Sequence, residues 1–225
     1  MNHSPYITVI IPCRNEEKLI GKCLNSIIGQ DISKEHVEIL VVDGMSDDKT
    51  RDIIAEYTKQ FSFVKQLKNP NKIVPTAMNT GILESKGEII IRMDAHNIYE
   101  KDYISKCIKY MQEYGADNVG GVLITLPSNE SSLAKSIAFA LSNPFGVGNA
   151  HFRMGSKKPK YVDTVPFGCY KREVFDKHGL FDEDLVRNQD DEFNLRLTRN
   201  GGKILLVPDI VSYYYARDSI SKLWK

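Results

Sequence analysis

The sequence predicts an α/β fold in which a mostly parallel central sheet is flanked by helices. Three observations carry that expectation. The runs ITVIIP (7–12), EILVVD (38–43) and EIIIRMD (88–94) are nearly continuous in Ile and Val, the pattern of strands buried on both faces. Each run is followed by a stretch with apolar residues at helical spacing, long enough for a crossover back to a parallel neighbour. Asp43 and Asp94 close two of the runs, where open α/β sheets bind ligands at the carboxyl ends of their strands.

The elements follow in order. After the first strand, Glu17 to Ile28 forms a helix with Leu19, Ile20, Cys23, Leu24, Ile27 and Ile28 on one face. Past the second strand, the Gly-, Ser- and Asp-rich turn offers Ser46 or Asp47 as the cap of a helix carrying Ile53, Ile54 and Tyr57. A short strand covers Val64 to Leu67. Pro75 then suits the first turn of a helix that runs through Glu84 and ends at Lys86-Gly87. The third long strand is 88–94, followed by a helix over Asp102 to Tyr114 and a strand at NVGGVLITL. Beyond residue 125 the pattern loosens, with one helix near Leu133 to Leu141 and a mobile loop over NPFGVGNAHFRMGSKKPK. NQDDEFNLRLTRNGG is a helix opening on acids and closing at Gly201, and KILLVPDIVSYYY is a strand pair completing the sheet. One domain of 1–225 is expected, with a nucleotide-binding half (1–125) and an acceptor-binding half (126–225).

Composition excludes several classes. Lys+Arg 30 against Asp+Glu 29 leaves no net field for a polyanion, so nucleic acid is not expected as a partner. Cys13, Cys23, Cys107 and Cys169 form no CxxC pair and suit buried free thiols. The first residues lack a basic region and cleavage site, and no apolar run reaches membrane-span length, so a cytoplasmic protein is expected. GxGxxG after the first strand, GxxxxGK[ST] and GxSxG are all absent, which disfavours dinucleotide, P-loop and serine-hydrolase chemistry. The lack of glycine in IIPCRNEE disfavours a sugar-nucleotide pyrophosphorylase.

Three acidic clusters remain to be explained. Asp43 in VVDGMSDDKT can accept from a uracil imide or a ribose hydroxyl, or simply satisfy turn amides. Arg14 and Glu16 can edge a nucleobase, or be a solvated first turn. Asp94 and His96 stand two residues apart and face one way in an extended segment, offering oxygen and nitrogen to Mn2+; Mg2+ would favour Asp94 with diphosphate and water. The alternative is a surface turn with an incidental histidine. Lys72 can reach a phosphate or base edge, and Asn79 can contact the same ligand or bond locally. Among Asp190, Asp191 and Glu192 one acid can serve as general base, although acids also favour a helix start for its dipole alone. Together these residues point to transfer from a nucleotide-activated substrate.

With these segments in hand, the chain resembles a family 2 glycosyltransferase of the Rossmann-like GT-A fold. IIPCRNEEKLIGKCLNSIIGQ is similar to the family's opening strand and helix, and VVDGMSDDKT to its Asp-Gly-Ser-x-Asp-x-Thr pattern. NPNKIVPTAMNTGILESKGEIIIRMDAH is similar to the approach to its Asp-x-Asp motif. VPFGCYKREVFDKHGLFDE, with Gly168, resembles the segment lining donor and acceptor sugars. MDAH and DDEFNLRL resemble bacterial exopolysaccharide transferases of the succinoglycan type.

The resemblance implies inverting transfer of a sugar from a nucleotide-diphosphate donor, usually UDP-linked, to a hydroxyl of a glycan or lipid-linked saccharide. An inactive sugar-nucleotide binder is the alternative. Pro12, Arg14, Glu16, Asp43 and Lys72 would surround the nucleoside, and Asp94 would reach ribose or a divalent cation, Mn2+ or Mg2+. His96 stands where the family's second Asp binds that cation. Asp190 aligns with the catalytic base, Gln189 replaces the usual Glu before it, and Asp191 is a rival. Lys157, Lys158 and Lys160 are expected to meet an anionic lipid-diphosphate acceptor or the inner membrane surface. The QxxRW signature of processive polymerases is absent.

Overall fold

The computed structural model describes residues 6–143, 151–154 and 157–216. Strand β1 (Ile7–Cys13) sends Val9 and Ile11 into one core and Ile10 into the other. β2 (Val37–Asp43) is buried along its whole length. Such strands are stable only with cover on both faces, and the helices supply it. On one side α1 (Ile20–Ile28) buries Ile20, Cys23, Leu24 and Ile27, and α2 (Thr50–Gln60) buries Ile54. After β3 (Val64–Lys68), α3 (Val74–Glu84) covers the opposite face with Ala77, Met78 and Ile82. Pro75 lies in its first turn, as expected.

β4 (Ile89–Arg92) ends two residues before Asp94, and β5 (Asn97–Tyr99) follows at once. Next come α4 (Tyr103–Tyr114), closed by Gly115 at φ 60, β6 (Asn118–Leu126) and α5 (Ser132–Leu141), whose cap Ser131 accepts from the Ala134 N–H. The expected loop over 143–160 contains a short helix, α6 (His151–Met154). Residues 144–150 and 155–156 of it lie outside the described residues. β7 (Lys160–Val162), β8 (Cys169–Lys171), α7 (Arg172–His178), α8 (Gln189–Arg199) and β9 (Ile204–Tyr215) complete the described chain.

The sheet order is β3-β2-β1-β4-β8-β6-β9-β5, with β7 paired to β9. β3, β2, β1 and β4 are parallel, with Cys13 opposite Asp43 and Ile10 opposite Arg92. The carboxyl ends of β1, β2 and β4 therefore share one edge, and the chain reverses its direction of travel between β1 and β4, the switch point where such sheets bind ligands. β8 joins antiparallel to both β4 and β6, so the sheet is mixed beyond β4.

Two expectations on elements are corrected. KILLVPDIVSYYY is one strand of 12 residues, not a pair. It stays whole because a register shift between Gly120 and Val122 absorbs the bend opposite Pro208, which has no N–H to donate. The close approach there requires Gly121, where a Cβ would stand 2.0 Å from the Ile210 carbonyl oxygen. Neither Ser46 nor Asp47 caps α2, whose N-cap is Lys49 without a side-chain bond. Ser46 is drawn away: its Oγ donates to Asp43 at 2.5 Å and accepts from the Asn15 N–H at 2.9 Å. All four cysteines are buried free thiols.

Candidate active site

Two loops cross at the shared edge and fix each other. The Glu16 N–H donates to Thr50 Oγ1 at 2.8 Å and the Glu17 N–H to Asp48, while the N–H groups of Asp47 and Lys49 donate to the side chains of Asn15 and Glu17. Asn15 and Met45 adopt left-handed φ of 55 and 57 to make the crossing. Asp43 sits beneath it, 1% exposed, with both carboxylate oxygens accepting from the Ser46 N–H at 3.2 Å. Arg14 is exposed and passes over Gly44, where a Cβ would meet its Cβ at 3.3 Å.

The next edge position carries the centre of the site. Arg92, the last residue of β4, is 8% exposed. Its Nε donates to Asp94 Oδ1 at 2.9 Å and its Nη2 to Oδ2 at 3.3 Å. Its Nη1 reaches Asp190, in the first turn of α8, at 2.5 Å. One guanidinium thus ties a carboxylate from the first half of the chain to one from the second. Burial disfavours the charge on Arg92, but Asp190 and Asp94 outweigh that and hold it protonated. Burial pushes the Asp190 carboxyl up from its ordinary value; Arg92 opposes the shift, and Asp94 and Asp191 reinforce it. Asp191 is exposed and accepts from Thr164 Oγ1 at 3.0 Å.

These groups line a cleft of about 350 Å3 with His96, Arg153, Phe167 and Tyr214. His96 Nδ1 lies 3.2 Å from Glu16 Oε1, and its ring meets the edge of Tyr214 at 5.4 Å between centroids. His96 also lines a second cleft, of about 560 Å3, with Asn15, Glu16, Lys18, Lys22 and Asp48. One imidazole therefore separates the two spaces.

Of the residues singled out from sequence, Asp94, His96, Asp190 and Asp191 meet in the first cleft and Glu16 and His96 in the second. Pro12, Arg14, Asp43, Lys72 and Gly168 line neither. Lys72 is exposed in a turn at φ 64. Gly168 makes room for the Tyr170 ring, which a Cβ would meet at 2.2 Å. Asn79 also lines neither cleft. It lies 4% exposed in the core, donating to the Phe181 carbonyl and Glu183 Oε1 and accepting from the Phe181 N–H, each at 2.9 Å. Those bonds staple α3 to the segment before α8, so its amide is already spent on protein.

Arg92 and Arg153 were missed. A charge inside the apolar run EIIIRMD was the available signal for Arg92, because a buried strand tolerates a guanidinium only beside carboxylates. The sequence around Arg153 held no comparable signal.

No group of three His, Cys, Asp or Glu side chains among the described residues is arranged to hold a metal ion. The donor chemistry nevertheless fits a cation that arrives with a diphosphate, because Asp94 and His96 border one cleft and such cations take few protein ligands. No helix among the described residues is long and apolar enough to cross a membrane.

Residues 8–179 match the sequence pattern of "Glycosyl transferase family 2". The chain is 35% identical over 98% of its length to a Methanococcus voltae dolichyl N-acetyl-alpha-D-glucosaminyl phosphate 3-beta-D-2,3-diacetamido-2,3-dideoxy-beta-D-glucuronosyltransferase, spanning 70% of that protein. It is 28% identical over 96% of its length to the succinoglycan biosynthesis protein ExoA of Rhizobium meliloti, spanning 65% of it. Staphylococcus aureus TarS 1-349 in complex with UDP-GlcNAc superposes with a TM-score of 0.75 at 21% identity, covering 95% of this chain and 59% of that one. The mannosyltransferase PcManGT of Pyrobaculum calidifontis, in complex with GDP-Man and Mn2+, gives 0.74 at 21%, covering 99% and 60%. At such identities the likeness establishes the GT-A fold.

Proposed function

The chain belongs to glycosyl transferase family 2, and from that premise we propose that it transfers a sugar, with inversion, from a nucleotide-diphosphate donor to a hydroxyl of a lipid-linked saccharide in polysaccharide assembly. The observation that carries the reading is the Arg92 clamp, which sets Asp190 beside Asp94 at the switch point of the sheet. The second cleft, bordered by Asn15 and Glu16, suits the nucleoside, and the first, bordered by Asp190, suits the sugar and the attacking hydroxyl.

Asp190 is the proposed base. It accepts the acceptor proton as the acceptor oxygen bonds to the anomeric carbon, and the bond to the diphosphate breaks with its electron pair leaving on the diphosphate. Arg92 fixes the carboxylate's direction through Nη1, and Asp191 beside it accepts from Thr164 Oγ1. A divalent cation entering with the donor would be held by Asp94 and His96 and would supply positive charge to the leaving diphosphate. A UDP-linked donor agrees with the UDP-GlcNAc complex of TarS, and a lipid-linked acceptor with the dolichyl phosphate in the archaeal relative's name. Lys157, Lys158 and Lys160, leading into β7, suit contact with an anionic lipid headgroup at the cytoplasmic membrane face.

One observation favours the second reading, a sugar-nucleotide binder without turnover: both Asp190 oxygens already accept from Arg92 Nη1. Hydrolysis of a panel of UDP- and GDP-sugars in Mn2+, Mg2+ or EDTA separates the two. Slow release of nucleotide from one donor, reduced by about a hundredfold or more in Asp190→Asn with nucleotide affinity retained, is expected. Tight nucleotide binding without turnover, even with lipid-linked saccharide acceptors, would establish the binder.

A further inference from the structure

We infer that Arg153 is an anion-binding residue of the first cleft, its guanidinium receiving oxyanions of the bound donor. The inference rests on the donor reading above and names a residue that the sequence did not suggest.

Three other arginines are each held by three or four bonds to protein. Arg92 spans Asp94 and Asp190. Arg172 donates to the carbonyls of Gly87 and Ser85 and to Ser85 Oγ. Arg196 pairs with Glu192 and donates to the carbonyls of His178 and Leu180. Arg153 is different. It lies half-buried in the cleft wall, and its polar contact among the described residues is one bond from Nη1 to Thr125 Oγ1 at 3.1 Å. A guanidinium has five N–H donors in a planar fork, so most of this one's capacity is unspent. No carboxylate among the described residues pairs with it.

Its setting is built. The guanidinium carbon stands 5.7 Å from the Phe152 ring centre and 5.5 Å from that of Tyr214. Two aromatic faces hold the fork in place without taking its donors, which leaves it pre-organised for a bidentate oxyanion. Burial destabilises its charge, a cost that a bound anion offsets. The cleft also needs such a group. Asp94, Asp190 and Asp191 border it, and Arg92 is already neutralised by two of them. A polyphosphate entering that space meets net negative charge, which Arg153 reduces at the point where it faces the anion.

The oxyanions have two possible sources: the diphosphate of the donor, or the carboxylate of an acidic sugar such as the uronic acid in the archaeal relative's name. The test is calorimetric titration of wild type, Arg153→Gln and Arg153→Lys with uridine, UDP, UDP-glucose and UDP-glucuronate, repeated with guanosine and GDP, in EDTA and in Mn2+. Thermal melts of each variant show that it is folded, and Lys retains the charge and the stem should Gln not fold. If the diphosphate is the ligand, the preference of wild type for UDP over uridine falls roughly tenfold or more in Arg153→Gln, returns in part in Arg153→Lys, and leaves uridine affinity unchanged. If the carboxylate is the ligand, the preference for UDP-glucuronate over UDP-glucose falls instead. A structural prop between Phe152 and Tyr214 would lower the melting temperature and move neither ratio, and that result overturns the inference. Should wild type bind neither UDP nor GDP more tightly than its nucleoside, the donor reading itself fails, and Arg153 with it.

Discussion

As the proposed base, Asp190 faces two opposed demands. A base must hold its proton weakly enough to lose it between turnovers yet strongly enough to take one from a hydroxyl. Burial raises its affinity for the proton and Arg92 lowers it again. Because the net shift is upward, the acid limb of kcat/KM should inflect above the ordinary aspartate value of about 3.9. Replacing Arg92 with Gln removes the opposing charge, so the limb should move to still higher pH while kcat falls, as a pH–rate profile of the variant will show. An unmoved limb would mean that Asp190 is not the group titrating. The same group affects stability with the opposite sense to a paired surface carboxylate. With a folded value above the unfolded one, Asp190 favours the folded state at low pH, and that contribution is lost as pH rises from about 3.9 through the raised value.

Among the elements, β2 carries the most exacting polar contact. Glu38 is buried between strands, accepting from Thr8 Oγ1 at 2.9 Å, the Lys86 N–H at 2.6 Å and Lys65 Nζ at 3.0 Å. Burial alone would raise its pKa, but those three donors bring it below the ordinary glutamate value. Its stabilisation is therefore present above about pH 4.3 and lost as pH falls through the depressed value. Glu38→Gln should cost about 1–3 kcal/mol at pH 7 in urea unfolding, with the difference from wild type shrinking in acid. Asn79→Ala should cost a similar amount by freeing the segment before α8 from α3. Neither contact was visible in advance. The apolar runs revealed the strands, and Pro75 and the acids of 190–192 revealed helix starts, because those signals are local. The bond from the Asn15 N–H to Ser46, the hold of Thr50 and Asp48 on Glu16 and Glu17 ahead of an α1 that starts at Ile20, and the unbroken β9 all depend on partners distant in sequence. The candidate site was legible to the same extent: Asp94, His96 and Asp190 mark element ends, whereas the bonds of Asn79 were not legible, because its partners lie 102 to 104 residues away.

Over the whole molecule, residues 1–125 and the described residues after them contribute strands to one sheet. β8 lies between β4 and β6, and β9 pairs with both β6 and β5, so strands from the second half fill the middle and flank of a sheet begun by the first. A fragment of 1–125 would leave β4 and β6 with open edges and Arg92 with half its counter-charge. The intact chain should unfold in one cooperative transition by heat and by denaturant, monitored by circular dichroism, and the fragment should show none. A fragment that melts cooperatively on its own would contradict the shared sheet.

The Arg92 clamp has a further consequence at the ribosome. Asp94 is translated well before Asp190, and the two reach one guanidinium only after α8 has been made and laid against the sheet. A nascent chain that has already closed its first strands holds only one of the clamp's two carboxylates. On the reading that Asp190 is the base, transfer waits until α8 has been laid against the sheet and the clamp is closed.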